Sequence, residues 1–137
     1  MHLPSITKLT ELLKNSKTIA VVGLSPKEGR PSRMVAEYLI AAGYSVIPVN
    51  PGQTEILGQT CYPDLSSIPV PVDIVDIFRR SEEIPPVVDE AIRIGARAVW
   101  MQLGIVNEEA ASKAEAAGIF VVMDKCLKVE HAHLLGG

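Results

Sequence analysis

Five short stretches of this chain combine residue types suited to holding a polyanionic small molecule. Residues 23–32 read G-L-S-P-K-E-G-R-P-S. Gly23 permits close backbone approach, and a helix opening at Ser32 would offer free amides to an anion. Asn50-Pro51, Phe78-Arg79-Arg80, Gln102-Leu103-Gly104 and Asp124-Lys125-Cys126 supply amides, a flat ring, guanidinium groups and a thiol. Arginine is the side chain best matched to bidentate phosphate contact. A dinucleotide fingerprint needs glycine at positions 23, 25 and 28, and the chain has Gly23, Ser25 and Glu28. The acidic residue expected for a ribose diol after the second strand is replaced by Asn50-Pro51. Both departures argue against ordinary NAD binding. Without further support, residues 23–32 read equally well as a plain turn between strand and helix.

Other constellations carry less. Cys126, Glu130, His131 and His133 have the spacing C-x4-H-x-H, which matches no strong zinc pattern. Asp73 and Asp76 lie three apart in one extended run, so alternation turns them to opposite faces. They are expected to support loop ends rather than to form a carboxylate pair. The histidines, His2, His131 and His133, cluster near the termini and make no nucleophilic triad with a serine and an aspartate. Trp100 reads as a hydrophobic or indirectly structural residue, and Cys61 as a reduced thiol. Cys126 has two readings, a thiol that meets a ligand thiol beside Lys125 or a buried structural cysteine.

Charge placement favours the small-molecule reading. The chain has 13 Lys and Arg against 16 Asp and Glu, for a net charge of −3, which disfavours general nucleic-acid binding. Yet Lys27, Arg30, Arg33, Arg79, Arg80 and Lys125 all fall in or beside these stretches. Gathering positive charge at one edge of an acidic molecule focuses potential on an anion. Solvated loop charge is the alternative.

The elements that would position these residues alternate between short apolar runs and helical segments. With 137 residues and 47% hydrophobic content, the chain is expected to form one domain with a real core. Strands are predicted over 18–22, 44–49, 72–78, 98–102 and 119–123. Their continuous apolar character suits burial on both faces. Ser5 is expected to cap a first helix, within residues 1–16, whose Ile6, Leu9 and Leu13 share a face. Ser32 should cap a second with Met34, Val35, Tyr38, Leu39 and Ala42 inward, stopped by Gly43. Ser81 and Asn107 open the next two, which Gly95 and Gly118 end. Pro85 and Pro86 fit only a first turn. Residues 53–70 look irregular apart from a turn near 64–67, and the tail, 124–137, adds a partial helix. Such alternation predicts an α/β, Rossmann-like, doubly wound parallel five-stranded sheet with helices on both faces. Ligands of such sheets bind outside the carboxyl ends of the strands, where strand order reverses. Two distant cysteines, no leader-like apolar run and no stretch near the roughly 18 apolar residues of a membrane span predict a soluble, cytoplasmic protein.

Six segments in the same order form a recognisable combination. They are AVVGLSPKEGRPS (20–32), GYSVIPVNP (43–51), CYPDL (61–65), VDIVDIFRR (72–80), WMQLGIVNEEA (100–110) and VVMDKCLKVEH (121–131). From about residue 17 the chain resembles the CoA-binding domain family, stand-alone relatives of the N-terminal domain of the succinyl-CoA synthetase alpha subunit. The resemblance implies that coenzyme A lies across the carboxyl edge of the sheet. Gly23, Leu24, Ser25 and Pro26 would cradle the pyrophosphate, with Arg30 and Ser32 adding phosphate contacts. Asn50 and Pro51 would border the nucleotide, where the synthetases place a lysine after the corresponding proline. Phe78 and Arg79 would line the adenine or phosphate side. Gln102, Leu103 and Gly104 would line the path of the pantetheine arm.

The synthetase carries its phosphorylated histidine in a second domain, for which a chain of this length is expected to have no room. The expectation is therefore a module that binds CoA or acyl-CoA, a sensor or carrier, with no catalytic residues, no metal, no nucleic acid and no membrane. The alternatives are a nucleotide-cofactor-dependent enzyme, either a nicotinamide oxidoreductase or one subunit of an acyl-CoA ligase, and an interaction module with a vestigial pocket.

Overall fold

A computed structural model describes residues 5–136 of the chain. His2 and the other residues of 1–4, assigned above to the first helical segment, lie outside the described residues, as does Gly137 at the end of the tail. Strand β1 (Thr18–Val22) is an unbroken β-branched and alanine run, and its Ile19, Ala20 and Val21 are fully buried. It is flanked on one side by β2 (Ser45–Val49) and on the other by β5 (Ile74–Ile77), both parallel to it. Strands β6 (Ala98–Met101) and β7 (Phe120–Val122) extend the sheet, giving the order β2-β1-β5-β6-β7. Pro48 is tolerated within β2 because that strand is at the edge. The chain passes from β1 outward to β2, then crosses to β5 on the other side. Strand order therefore reverses between β1 and β5.

Helices cover both faces. Helix α1 (Ile6–Asn15), α2 (Pro31–Ala41) and α5 (Leu127–Leu134) pack over one core with Ile19, Val21, Trp100 and Val122. Helices α3 (Ile84–Ile94) and α4 (Glu108–Ala116) pack over the other, with Ala20, Val75, Val99 and Val121. Alternation along each strand feeds the two cores in turn. Asp73, just before β5, accepts the backbone N–H groups of Lys17 and Thr18 at 2.8 and 3.0 Å. It supports a loop end at the edge of the sheet remote from the loops of interest, as its position in the sequence suggested.

Several local details differ from expectation. Ser5 does cap α1, accepting from the N–H of Lys8, but the buried face is Leu9, Leu12 and Leu13. Ile6, in the first turn at the margin of that stripe, is 70% exposed. Arg30, not Ser32, is the N-cap of α2, because Pro31 takes the first helical position, where a missing N–H costs nothing. Met34, expected on the inner face of α2, is 46% exposed. Residues Ser81–Glu83 form a single 3₁₀ turn before α3, so the two prolines occupy its first turn as anticipated. Residues 53–70 contain a small hairpin of β3 (Glu55–Ile56) and β4 (Gln59–Thr60). Its turn residues, Leu57 and Gly58, both have positive φ, as a tight hairpin turn requires. Leucine at such a position is unusual, which is why no turn signal stood out there.

Candidate functional site

The loops at the carboxyl ends of β1, β5 and β6 meet at the point of strand reversal. Gly23 leaves β1 with φ +86°, and its N–H donates to the carbonyl of Val49 at 2.9 Å. A Cβ at this position would collide with the carbonyl oxygen of Phe78, so the β1 and β5 loops touch backbone to backbone. No other residue type fits both the conformation and the space.

Beyond Gly23 the loop is braced from within. The N–H of Ser25 donates to Oγ of Ser32 at 3.0 Å, and Oγ of Ser25 accepts from Lys27 N–H at 3.1 Å. Ser32 thus works from the first turn of α2, holding the loop against the helix. Arg33 donates to the carbonyl of Pro26 at 2.5 Å and lies 3.5 Å from the carboxylate of Glu37. Asn50 donates through Nδ2 to the carbonyl of Leu24 at 3.0 Å, while its Oδ1 accepts from Gly52 N–H at 2.8 Å. The carboxyl ends of β1 and β2 are therefore tied by a side-chain amide. On the far side, Gly104 N–H donates to the carboxylate of Asp124 at 2.7 Å, which links the loops after β6 and β7.

These loops enclose an open cavity of about 650 Å³. That is within the range of roughly 300–1,000 Å³ common for small-molecule sites. Its lining combines Gly23, Ser25, Arg30, Ser32 and Arg79 with the apolar Val35, Phe78, Leu103 and Ile105. Gln102 and Cys126 close the floor side. Arg80 also lines the cavity and pairs with Glu83 at 3.7 Å. Arg30 and Arg79 have no side-chain hydrogen bond or ion pair among the described residues, so their guanidinium groups are available to a ligand.

The residues singled out in the sequence therefore separate into groups. Gly23, Ser25, Arg30, Ser32, Phe78, Arg79, Gln102 and Leu103 line one cavity. Leu24 is fully buried and belongs to the core with α2. Pro26, Asn50, Pro51 and Gly104 lie outside the cavity lining, with Pro26, Asn50 and Gly104 held in the bracing network. Of the six basic residues of the edge, Lys27 and Lys125 are not in the lining, and Arg33 is committed to Pro26 and Glu37. Lys125 lines a separate depression between α1 and α5.

Two features escaped sequence reading. Val35 and Ile105 read as ordinary apolar positions, because nothing in the local sequence marks an apolar residue as a cavity wall. Asp76 read as a loop support, yet it is fully buried in β5. Its Oδ1 accepts from Nε2 of Gln102, and Oδ2 has no partner. Burial raises its pKa to about 8, and the Gln102 hydrogen bond opposes that rise. At neutral pH Asp76 is therefore mostly a neutral acid. Cys61 is buried, and burial raises its thiol pKa. Cys126 is half-buried at the cavity. Among the described residues no cluster of His, Cys, Asp and Glu could hold a metal ion. No described helix is long and apolar enough to cross a membrane.

A parallel doubly wound sheet with its cavity at the strand reversal defines a Rossmann-like α/β domain. Within that class, the chain belongs to the CoA-binding domain family, whose sequence pattern matches residues 17–132. It is 46% identical over 132 residues to the uncharacterized protein YneT of Bacillus subtilis, covering 96% of this chain and 98% of that one. It is also 31% identical over 127 residues to an ADP-forming acetate–CoA ligase of Archaeoglobus fulgidus, covering 85% of this chain but 18% of the ligase. A hypothetical protein from Pyrococcus horikoshii has the same fold, with a TM-score of 0.94 and 41% identity over 97% of this chain and 94% of its own.

Proposed function

We propose that this chain binds coenzyme A, free or acylated, in the cavity at the β1–β5 strand reversal, as a cytoplasmic carrier or sensor. The observation that carries this reading is that one cavity is lined by phosphate-suited and apolar residues together. Unpaired Arg30 and Arg79, the Gly23 backbone and the Ser25–Ser32 turn line it together with Val35, Phe78, Leu103 and Ile105. Coenzyme A presents both kinds of group, with anionic phosphates joined to a long, largely neutral arm. In this reading the loop 23–26 cradles the pyrophosphate, Arg30 and Arg79 neutralise phosphate charge, and Phe78 packs against the adenine. Gln102 and Leu103 border the arm. Asn50 and Gly104 act through the loops they brace rather than by contact.

A second reading has one specific observation in its favour. The acetate–CoA ligase relative contains a matching region that makes up 18% of its length. In that reading the chain presents acyl-CoA to a separate catalytic chain. In both readings the part these residues play is to bind the ligand.

Calorimetry with CoA, acetyl-CoA, dephospho-CoA and NAD tests the proposal. CoA should bind and NAD should not; tight NAD binding without CoA binding would refute it. Arg79→Ala should weaken CoA binding by roughly tenfold or more, the size of one charge-assisted hydrogen bond. An equal loss for dephospho-CoA assigns that arginine to the pyrophosphate, and a loss for CoA alone assigns it to the 3′-phosphate.

A further inference from the structure

The cavity floor rests on a group outside its lining. Asp76 of β5 is in register with Val21 of β1 and Trp100 of β6, on the sheet face covered by α1, α2 and α5. It is fully buried and bonded through Oδ1 to Nε2 of Gln102. The other end of the Gln102 amide, Oε1, accepts the N–H of Leu127 at 3.4 Å, in the first turn of α5. Leu127 is itself fully buried, and its neighbour Cys126 lines the cavity. One side chain thus joins β5, β6 and the start of α5 directly beneath the site.

We propose that Asp76 is a positioning residue for this site: through Gln102 it fixes the cavity floor and the first turn of α5 without touching the ligand. The proposal rests on the reading of the cavity as a coenzyme A site. Its physical basis is the pairing of donors and acceptors. Leu127 N–H is a donor and tolerates only the carbonyl end of the Gln102 amide, while Asp76 Oδ1 receives the amino end. The two partners together set one orientation for Gln102. The free Oδ2 makes the arrangement sensitive to charge, because an ionised Asp76 would leave an uncompensated anion in the core. A negative charge at that depth would also oppose an anionic ligand.

Other ionisable groups on this face include Tyr38, Arg33 and Glu37 of α2, Cys126, Lys128 and His131 at α5, and Tyr44 and Cys61 from the loops. The α1 face contributes Leu9, Leu12 and Leu13 and no charge. None of these groups is a cause of the raised Asp76 pKa, which comes from burial.

The test uses the full chain and Asp76→Asn, which keeps an acceptor for Gln102 but cannot ionise. CoA affinity is measured by calorimetry between pH 7 and pH 9. If the protonated form is the competent one, apparent affinity of the parent should fall by about tenfold across that range relative to Asp76→Asn. A second readout needs no ligand. In a Cys126→Ser background, which removes the neighbouring thiol, the Leu127 amide signal should shift with pH in the parent and stay still in Asp76→Asn. Parallel pH profiles for CoA binding in parent and variant would overturn the proposal. So would a Leu127 signal that does not distinguish them. Absence of CoA binding at every pH would refute the cofactor reading instead, and the Leu127 titration would still decide whether Asp76 governs α5. If Asp76→Asn fails to fold, Gln102→Leu replaces it: the Leu127 pH response should vanish, and its persistence would overturn the link.

Discussion

Asp76 stores a proton that the unfolded chain releases. An aspartate in water ionises near 3.8, while Asp76 in the fold does so at about 8. Between those values the folded state holds more protons than the unfolded state, so stability must fall as pH rises. The contribution is fully present below the unfolded value and is lost as pH climbs through the folded one. Asp76→Asn removes this dependence. The stability of the variant relative to the parent should therefore grow by roughly 5 kcal/mol from pH 4 to pH 8, at about 1.36 kcal/mol for each pH unit crossed. Urea unfolding at the two pH values checks this, and a constant difference would show that Asp76 is not buried neutral. Nothing in the local sequence V-D-I-V-D-I-F announces such a residue, since Asp73 in the same run bonds to backbone at the far edge. Asp73 lies just before the strand and Asp76 within it, and only the neighbouring strands determine that Asp76 is sealed.

At the scale of elements, the site is a meeting of loops whose separations are set by strand pairing. The βα alternation, the burial of the five parallel strands and the helix stops were legible because each is a local pattern with a local cause. Gly23 was legible as a glycine suited to a phosphate loop, but its stronger constraint is the Phe78 carbonyl, 55 positions away in the chain and adjacent in the sheet. Gly23→Ala must both adopt a positive φ and push β1 from β5. It should destabilise the fold by about 1–3 kcal/mol and sharply weaken CoA binding, whereas Gly29→Ala faces no such neighbour and meets only the conformational penalty. Thermal unfolding and calorimetry on the two variants compare them directly; equal effects would mean that contact with Phe78 is unimportant. The N-cap of α2 shows the converse limit. Ser32 carries a strong capping signal, but Pro31 claims the first helical position and Ser32 is turned to brace the loop instead. Two legitimate local preferences competed, and the one with the fixed backbone angle prevailed.

For the whole molecule, net charge and local charge point in opposite directions. A chain of net charge −3 places Arg30, Arg79 and Arg80 around one cavity while its carboxylates lie mostly elsewhere. Binding of an anion there should weaken as salt screens the arginines, despite the acidic total. CoA affinity measured between about 20 and 500 mM NaCl should fall steadily; a flat profile would remove phosphate capture as the main source of affinity.

The sequence by itself determined the α/β alternation, the five parallel strands, the edge on which ligand-binding loops would gather and the family resemblance. These follow from periodicity and from motifs whose residues are close in the chain. Only the tertiary structure decided which basic residues are free. Arg33 and Arg80 find partners within a helical turn, Lys125 faces another surface, and Arg30 and Arg79 remain available. It likewise decided that Gln102 is a strut over Asp76 as well as part of the cavity wall. The reason is the same in each case: whether a polar group is satisfied depends on distant neighbours, and a linear pattern carries no record of them.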